Sequence, residues 1–152
     1  MDSTLAYEQG SSVIPHRAYG YSRDGEGWKR TDQSLTSSVL GDGGIYSCVP
    51  DLAKWNEALF ANKLIPAKLQ AEAFTPHIQT DKPGVGYGYG WYIGEYRGLK
   101  EIYHGGESRG FTTRNFRIPE KRFCVIILTN RNDAPVKDLP NRLADVFLFP
   151  SQ

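Results

Sequence analysis

The chain has 152 residues, 39% of them hydrophobic and 23% charged, with a formal net charge of +1. That length suits one compact unit burying about 70% of its unfolded surface, and the balanced charge argues against disorder and against a nucleic-acid partner. The apolar run Cys124 to Leu128 is far short of the roughly 20 residues a membrane helix needs, and Met1-Asp2-Ser3-Thr4 does not begin a signal peptide.

Residues 1–48 are rich in Ser, Gly, Tyr and Asp without clear periodicity, so they read as an extended loop region lying across another surface. Residues 49–76 read as helical. Pro50 suits a first helical turn and Asp51 the positive end of its dipole, while Leu52, Trp55, Leu59 and Phe60 recur at helical spacing over residues 50–61. A second helix is expected over 66–74, with Leu69 and Ala73 inward, before Thr75-Pro76 stops it.

Residues 87–130 read as antiparallel strands. Tyr87, Tyr89, Trp91 and Ile93 alternate with smaller residues, as on a single strand with one bulky face, a face that packs on helices or else offers a ring platform to a ligand. After a turn at Arg97-Gly98, a second strand is expected from Leu99 to His104, ending at Gly105-Gly106. A third covers 111–118 and a fourth 123–129; the fourth is apolar throughout, which places it in the middle of a sheet with both faces covered. A helix over 138–149 closes the chain, with Leu143, Val146 and Phe147 expected to face the sheet. The fold class is therefore α/β (α+β type): an antiparallel sheet flanked by helices.

Chemistry concentrates at His104-Gly105-Gly106, where a histidine stands beside two residues without side chains, leaving backbone open to a ligand; a plain glycine turn explains the triplet equally well. No serine has a lysine three positions later, and Tyr-x-Asn and Ser-Asp-Asn are absent from these residues. Ser108 lies four residues beyond His104 but lacks a local third group to orient the imidazole, and reads as a turn serine. His16, His77 and His104 do not have metal-ligand spacing, so no metal or cofactor is expected. Cys48 and Cys124 sit in apolar sequence and read as two free structural thiols.

Several stretches together resemble the serine β-lactamase and penicillin-binding-protein-like family, in its class C, esterase and D-Ala-D-Ala peptidase branch. Gly43-Gly44-Ile45-Tyr46-Ser47 followed by Asp51-Leu52-Ala53-Lys54-Trp55 resembles the family's Gly-Gly-Leu-Tyr-Ser-Thr-x-x-Asp-Leu-Ala-Lys-Trp segment. Tyr89-Gly90-Trp91 resembles its Tyr-Gly-x-Gly-Trp strand, His104-Gly105-Gly106 with Gly110-Phe111 its third motif and following strand, and Met1 to Thr4 its Leu-Gly-Met-x-x-Thr. Cys48 stands where Thr is usual and Pro50 where an acidic residue is usual.

The resemblance implies the C-terminal portion of a β-lactamase/transpeptidase-like fold, with the helix pair around Trp55 belonging to a neighbouring helical region. His104 would occupy the Lys or His position of the third motif, Gly105 and Gly106 would keep the cleft wall flat, and the Glu107 N–H would be one of two oxyanion-hole donors. The Ser-x-x-Lys and Tyr-x-Asn motifs would precede Met1, so a truncated or internally started product is expected, inactive alone. The parent's partner would be a small acyl substrate: a β-lactam, an ester or a peptide. In the family, preceding strands and a helix complete the sheet, so a bare apolar edge favouring a homo-oligomer is also expected. The family is often extracytoplasmic. A ligand-binding module and a self-associating piece remain the alternatives to a hydrolase fragment.

Overall fold

A computed structural model describes residues 1–7, 13–32 and 43–150. Its elements in chain order are β1 (Leu5–Ala6), β2 (Tyr21–Asp24), β3 (Gly27–Arg30), β4 (Ile45–Tyr46), α1 (Val49–Phe60), α2 (Ala67–Ala73), β5 (Ile78–Gln79), β6 (Gly86–Tyr87), β7 (Tyr92–Tyr96), β8 (Leu99–Ser108), β9 (Phe111–Ile118), β10 (Phe123–Thr129) and α3 (Leu139–Leu148). A six-stranded antiparallel sheet, ordered β10-β9-β8-β7-β6-β5, carries the fold, beside two small ladders, β1-β4 and β2-β3.

The sheet is covered on both faces, because β8 alternates Ile102 and Tyr103 to opposite sides. Tyr103, Phe116, Ile118 and Val125 pack with Ala144 of α3. On the other face Ile102 packs with Leu59 and Phe74, flanked by Trp55 and Trp91. The α1–α2 pair thus packs directly on this sheet instead of standing in a separate helical region. Each fully buried Val, Leu, Ile or Phe among them contributes roughly 1.5–3 kcal/mol.

The amphipathic stripe of α1 behaves as its spacing predicts, with Leu59 buried and Trp55 stacked on Trp91 at 5.7 Å. In α2 Ala73 packs inward as expected, but the other inward residue is Gln70, not Leu69, which is 57% exposed. Gln70 Nε2 donates to Leu59 O at 2.8 Å and to Asn62 Oδ1 at 2.7 Å. It thereby adds a second donor to a carbonyl at the C-terminal end of α1 that also accepts from Asn62 N–H at 3.1 Å. In α3, Ala144 and Pro140 face the sheet, while Val146 and Phe147 are exposed. A small residue at the contact lets the helix approach closely, which rotates the bulkier pair outward; Leu143 remains inward as expected.

Three strand expectations need correction. Tyr87 to Ile93 is not one strand but β6 and β7 joined by a tight reversal, with Gly88 N–H donating to Trp91 O at 2.9 Å and Gly90 at φ +79°. The proposed ring platform is therefore dispersed: Tyr89 stacks on His77, whereas Trp91 packs edge-on to Phe74. β8 does not stop at His104 but runs through both glycines to Ser108. β10 lies at the outer edge of the sheet rather than its middle, paired among the described residues with β9 alone. Its apolar side chains are instead partly covered by α1, α3 and the chain around them, leaving Leu128 exposed.

The first 48 residues contain more order than their composition suggests. Leu5 pairs with Tyr46 in the β1–β4 ladder, and β2–β3 is a hairpin with Gly25 at φ +58° in its turn. The remainder of the expected loop, 8–12 and 33–42, lies outside the described residues. The N-terminal residues are tied to α1 through Asp51, which accepts from Ser3 N–H at 2.8 Å and Thr4 Oγ1 at 2.9 Å, with Lys54 Nζ at 3.3 Å. Burial opposes its ionisation, but these donors prevail and hold the carboxyl down to about 2.

Candidate functional site

The site is built on β8, whose two neighbours cover different lengths of it. β7 pairs with Leu99 to Tyr103, and β9 pairs with Ile102 to Ser108. From His104 onward β8 therefore has a strand on one side only, among the described residues. Which peptide groups face the vacant side follows from the two hairpin turns. Both have two-residue loops, Arg97-Gly98 (φ +51° and +77°) and Arg109-Gly110 (Gly110 φ +72°). Such loops close on a hydrogen-bonded pair, here Tyr96–Leu99 and Ser108–Phe111. Counting in twos from either end gives the same answer: odd-numbered residues of β8 direct their N–H and C=O toward the β7 side. Beyond the end of β7 those residues are Gly105 and Glu107, and no other backbone hydrogen bond within the described residues reaches them.

His104 is half-buried at the point where β7 ends. Its Nε2 lies 3.0 Å from the Tyr87 hydroxyl, and its ring packs within 5.6 Å of Tyr92. These contacts hold the imidazole, and Nδ1 has no hydrogen-bond partner among the described residues. The two glycines give the strand a bare surface. A Cβ on Gly106 would meet only Thr113 Oγ1, at 2.9 Å, whereas one on Gly105 would press against Thr113 O at 3.0 Å. On the Tyr103 face, the Arg114 guanidinium lies 3.9 Å over the Tyr103 ring, and Glu101, nearly buried, has its carboxyl pushed up by burial with Arg114 opposing. The Glu107 side chain is exposed and faces Lys137 at 3.7 Å.

An open cleft of about 850 Å³ begins where this edge ends, lined by Ser22, Lys29, Arg30, Thr31, Asp32, Glu107, Ser108, Arg109 and Asn132. One wall is the β2–β3 hairpin. That hairpin is docked on the β8–β9 turn by Tyr21 N–H, which lies 3.2 Å from Gly110 O and 3.0 Å from Asn130 O. The contact leaves no room for a side chain at Gly110, where a Cβ would fall 2.4 Å from the Gly20 and Tyr21 backbone.

The structure thus places His104, Gly105, Gly106 and Glu107 on one continuous strand. It puts Ser108 at the cleft rim, without a histidine partner among its described contacts. His77 lies apart, against Tyr89 and Glu72. Cys48 and Cys124 are both free thiols. Sequence reasoning missed Tyr87 as the partner of His104, and it missed the hairpin wall altogether. Asp24-Gly25 between Tyr21-Ser22-Arg23 and Trp28-Lys29-Arg30 is the hairpin signal that could have revealed it.

Residues 4–147 match the family model described as Beta-lactamase. The chain is 27% identical over 145 residues to Penicillin-binding protein 4* of Bacillus subtilis (strain 168), a match covering 88% of this chain and 32% of that protein. Among solved structures it superposes on an octameric penicillin-binding protein homologue from Pyrococcus abyssi with a TM-score of 0.83 at 26% identity, covering 97% of this chain and 34% of the other. A D-stereospecific amidohydrolase from Streptomyces sp., 22% identical with a TM-score of 0.73, shares the fold over 96% of this chain and 44% of its own length. The chain spans about a third of the length of the curated relative it matches.

Proposed function

This chain belongs to the Beta-lactamase family, and we propose that it forms the third-motif wall of an acyl-transfer cleft acting on a β-lactam, ester or D-Ala-D-Ala peptide. The observation that carries this reading is the free edge at Gly105 and Glu107, next to a histidine held by Tyr87. A carbonyl placed along that edge would accept from the Glu107 N–H, and the oxyanion that develops during acyl transfer would strengthen that bond. His104 would offer its unpaired ring nitrogen to the ligand, while Gly105 and Gly106 would let it lie against the backbone.

In such an enzyme a serine activated by lysine attacks the acyl carbonyl, an acyl-enzyme forms, and water releases it. These residues contain no Ser-x-x-Lys, so the chain by itself would not turn over substrate. Losing one oxyanion donor costs on the order of a hundredfold, whereas losing the nucleophile removes the covalent route. Purified chain, its mass verified, is expected to leave a chromogenic cephalosporin and a p-nitrophenyl ester unhydrolysed. Turnover abolished by a serine-directed phosphonate would overturn that expectation.

A second reading, self-association, is supported by the position of β10 at the sheet edge with Leu128 exposed. An octameric relative is consistent with it. Light scattering would show an assembly that persists on dilution; a monomer at all concentrations would dismiss it.

A further inference from the structure

We propose that the cleft at the end of the β8 edge seats an acidic group of an extended, peptide-like ligand, and that Lys29 and Arg109 select it. The inference rests on the reading of Gly105 and Glu107 as the pairing wall, and it adds a ligand class that this wall alone does not specify.

The argument starts from charge. Three cations line the cleft, Lys29, Arg30 and Arg109, against two carboxylates, Asp32 and Glu107. Both carboxylates are already engaged. Asp32 is bound by Arg17 at 2.9 Å and faces Arg30 at 3.5 Å, and Glu107 faces Lys137 at 3.7 Å. Arg30 is further committed to the Tyr19 ring, 3.6 Å away. Lys29 and Arg109 are left exposed without an ion-pair partner among the described residues, on opposite walls of one concavity. A concave site with an excess of one charge concentrates ligands of the other, even on a chain whose overall balance is only +1. Hydroxyls of Thr31 and Ser108 and the Asn132 amide lie beside them and can complete the hydrogen bonding of a carboxylate.

Geometry then joins cleft to edge. A ligand strand that pairs with Gly105 and Glu107 advances about 3.3 Å per residue. The cleft begins at Glu107 itself. An acidic side chain or terminus one to three residues beyond the carbonyl on the Glu107 N–H therefore arrives, roughly 3–10 Å along, among Lys29 and Arg109. A ligand lacking that group would still pair with the edge but leave both cations to water.

Isotope-labelled chain would be titrated with acetylated, amidated Ala-Ala peptides bearing Glu or Gln at either end, following amide shifts at low and high salt. The Glu peptides are expected to bind roughly threefold to tenfold more tightly than their Gln counterparts at low salt, as two exposed charge contacts allow. High salt should remove that advantage. The combined Lys29→Gln and Arg109→Gln variant should abolish it too, leaving the affinity of the Gln peptides unchanged. Equal binding of Glu and Gln peptides, with Gly105 and Glu107 amides shifting, would overturn the inference while the pairing wall stands. A preference that survives in the double variant would overturn the assignment of these residues. Silence of the Gly105 and Glu107 amides with every peptide would remove the wall itself, and this inference with it.

Discussion

Replacing Arg117 with methionine is expected to stabilise the chain, although it deletes one of the most buried side chains in the sheet. Arg117 is 1% exposed, and neither its Nε nor its Nη1 has a hydrogen-bond partner among the described residues. Burial pulls its pKa down to about 10, against a slight opposing pull from Cys124. The folded value lies below the unfolded one, so the destabilisation is fully present at every pH below about 10, and it is relieved only as pH rises above that. At neutral pH the charged guanidinium costs on the order of 3 kcal/mol relative to water. The rings of Phe60, Phe74 and Trp91, at 4.5, 5.3 and 5.9 Å, return part of this by cation–π attraction, about 2 kcal/mol. Methionine keeps most of the volume without a charge to desolvate. The net gain is then about 1 kcal/mol, read as a Tm higher by roughly 2–4 °C in thermal unfolding at pH 7. Arg117→Lys, which retains the charge but loses the planar stack, should lower Tm. A loss of more than about 1 kcal/mol in the methionine variant would refute the reasoning, since it would mean that the guanidinium has favourable partners which outweigh its desolvation.

The Asp51 carboxyl, held at about 2 in the fold, contributes stability that is present above its ordinary value of 3.8 and lost as pH falls through about 2. Asp51→Asn should lower Tm at pH 7 and flatten the acid limb of the stability profile between those values; an unchanged acid limb would contradict the assignment. Gly88→Ala should destabilise by about 1–3 kcal/mol in urea unfolding, because its Cβ would stand 2.3 Å from Ala73 O and 2.7 Å from Thr75 O, backbone atoms that cannot yield without moving α2. Gly106→Ala provides the complementary case. Its Cβ meets only the Thr113 hydroxyl, which can rotate away, so the melting temperature should fall far less than in Gly88→Ala while ligand-induced shifts at Gly105 and Glu107 weaken; undiminished shifts would place the ligand elsewhere.

Elements defined by period and punctuation were legible. The stripe of Leu52, Trp55 and Leu59 with Pro50 before it locates α1, and β9 begins and ends where its pattern does. What misled were residues whose meaning depends on a neighbour. Gly105-Gly106 reads as a breaker, yet the ladder from β9 carries the strand through it. The apolar β10 reads as central because composition cannot tell two covered faces from a paired edge. Val146 and Phe147 fit a helical stripe, but the closeness of Ala144 to the sheet decides which side of α3 turns inward. At the candidate site, the triplet from His104 to Gly106 was visible from its residue types, and the Glu107 N–H followed from resemblance. Its direction depends on strand pairing, and the cationic wall opposite it depends on a hairpin some 80 positions earlier.

The two short turns flanking β8 act together as a phase lock. One residue inserted within β8, between Tyr103 and Gly105, would set the hairpins out of step. The strand would have to bulge, or else present the amides of His104 and Gly106 where those of Gly105 and Glu107 now stand. Two inserted residues would restore the phase. The length of β8 between its two turns is therefore constrained to change by even numbers, whereas an insertion in either turn is taken up in the loop.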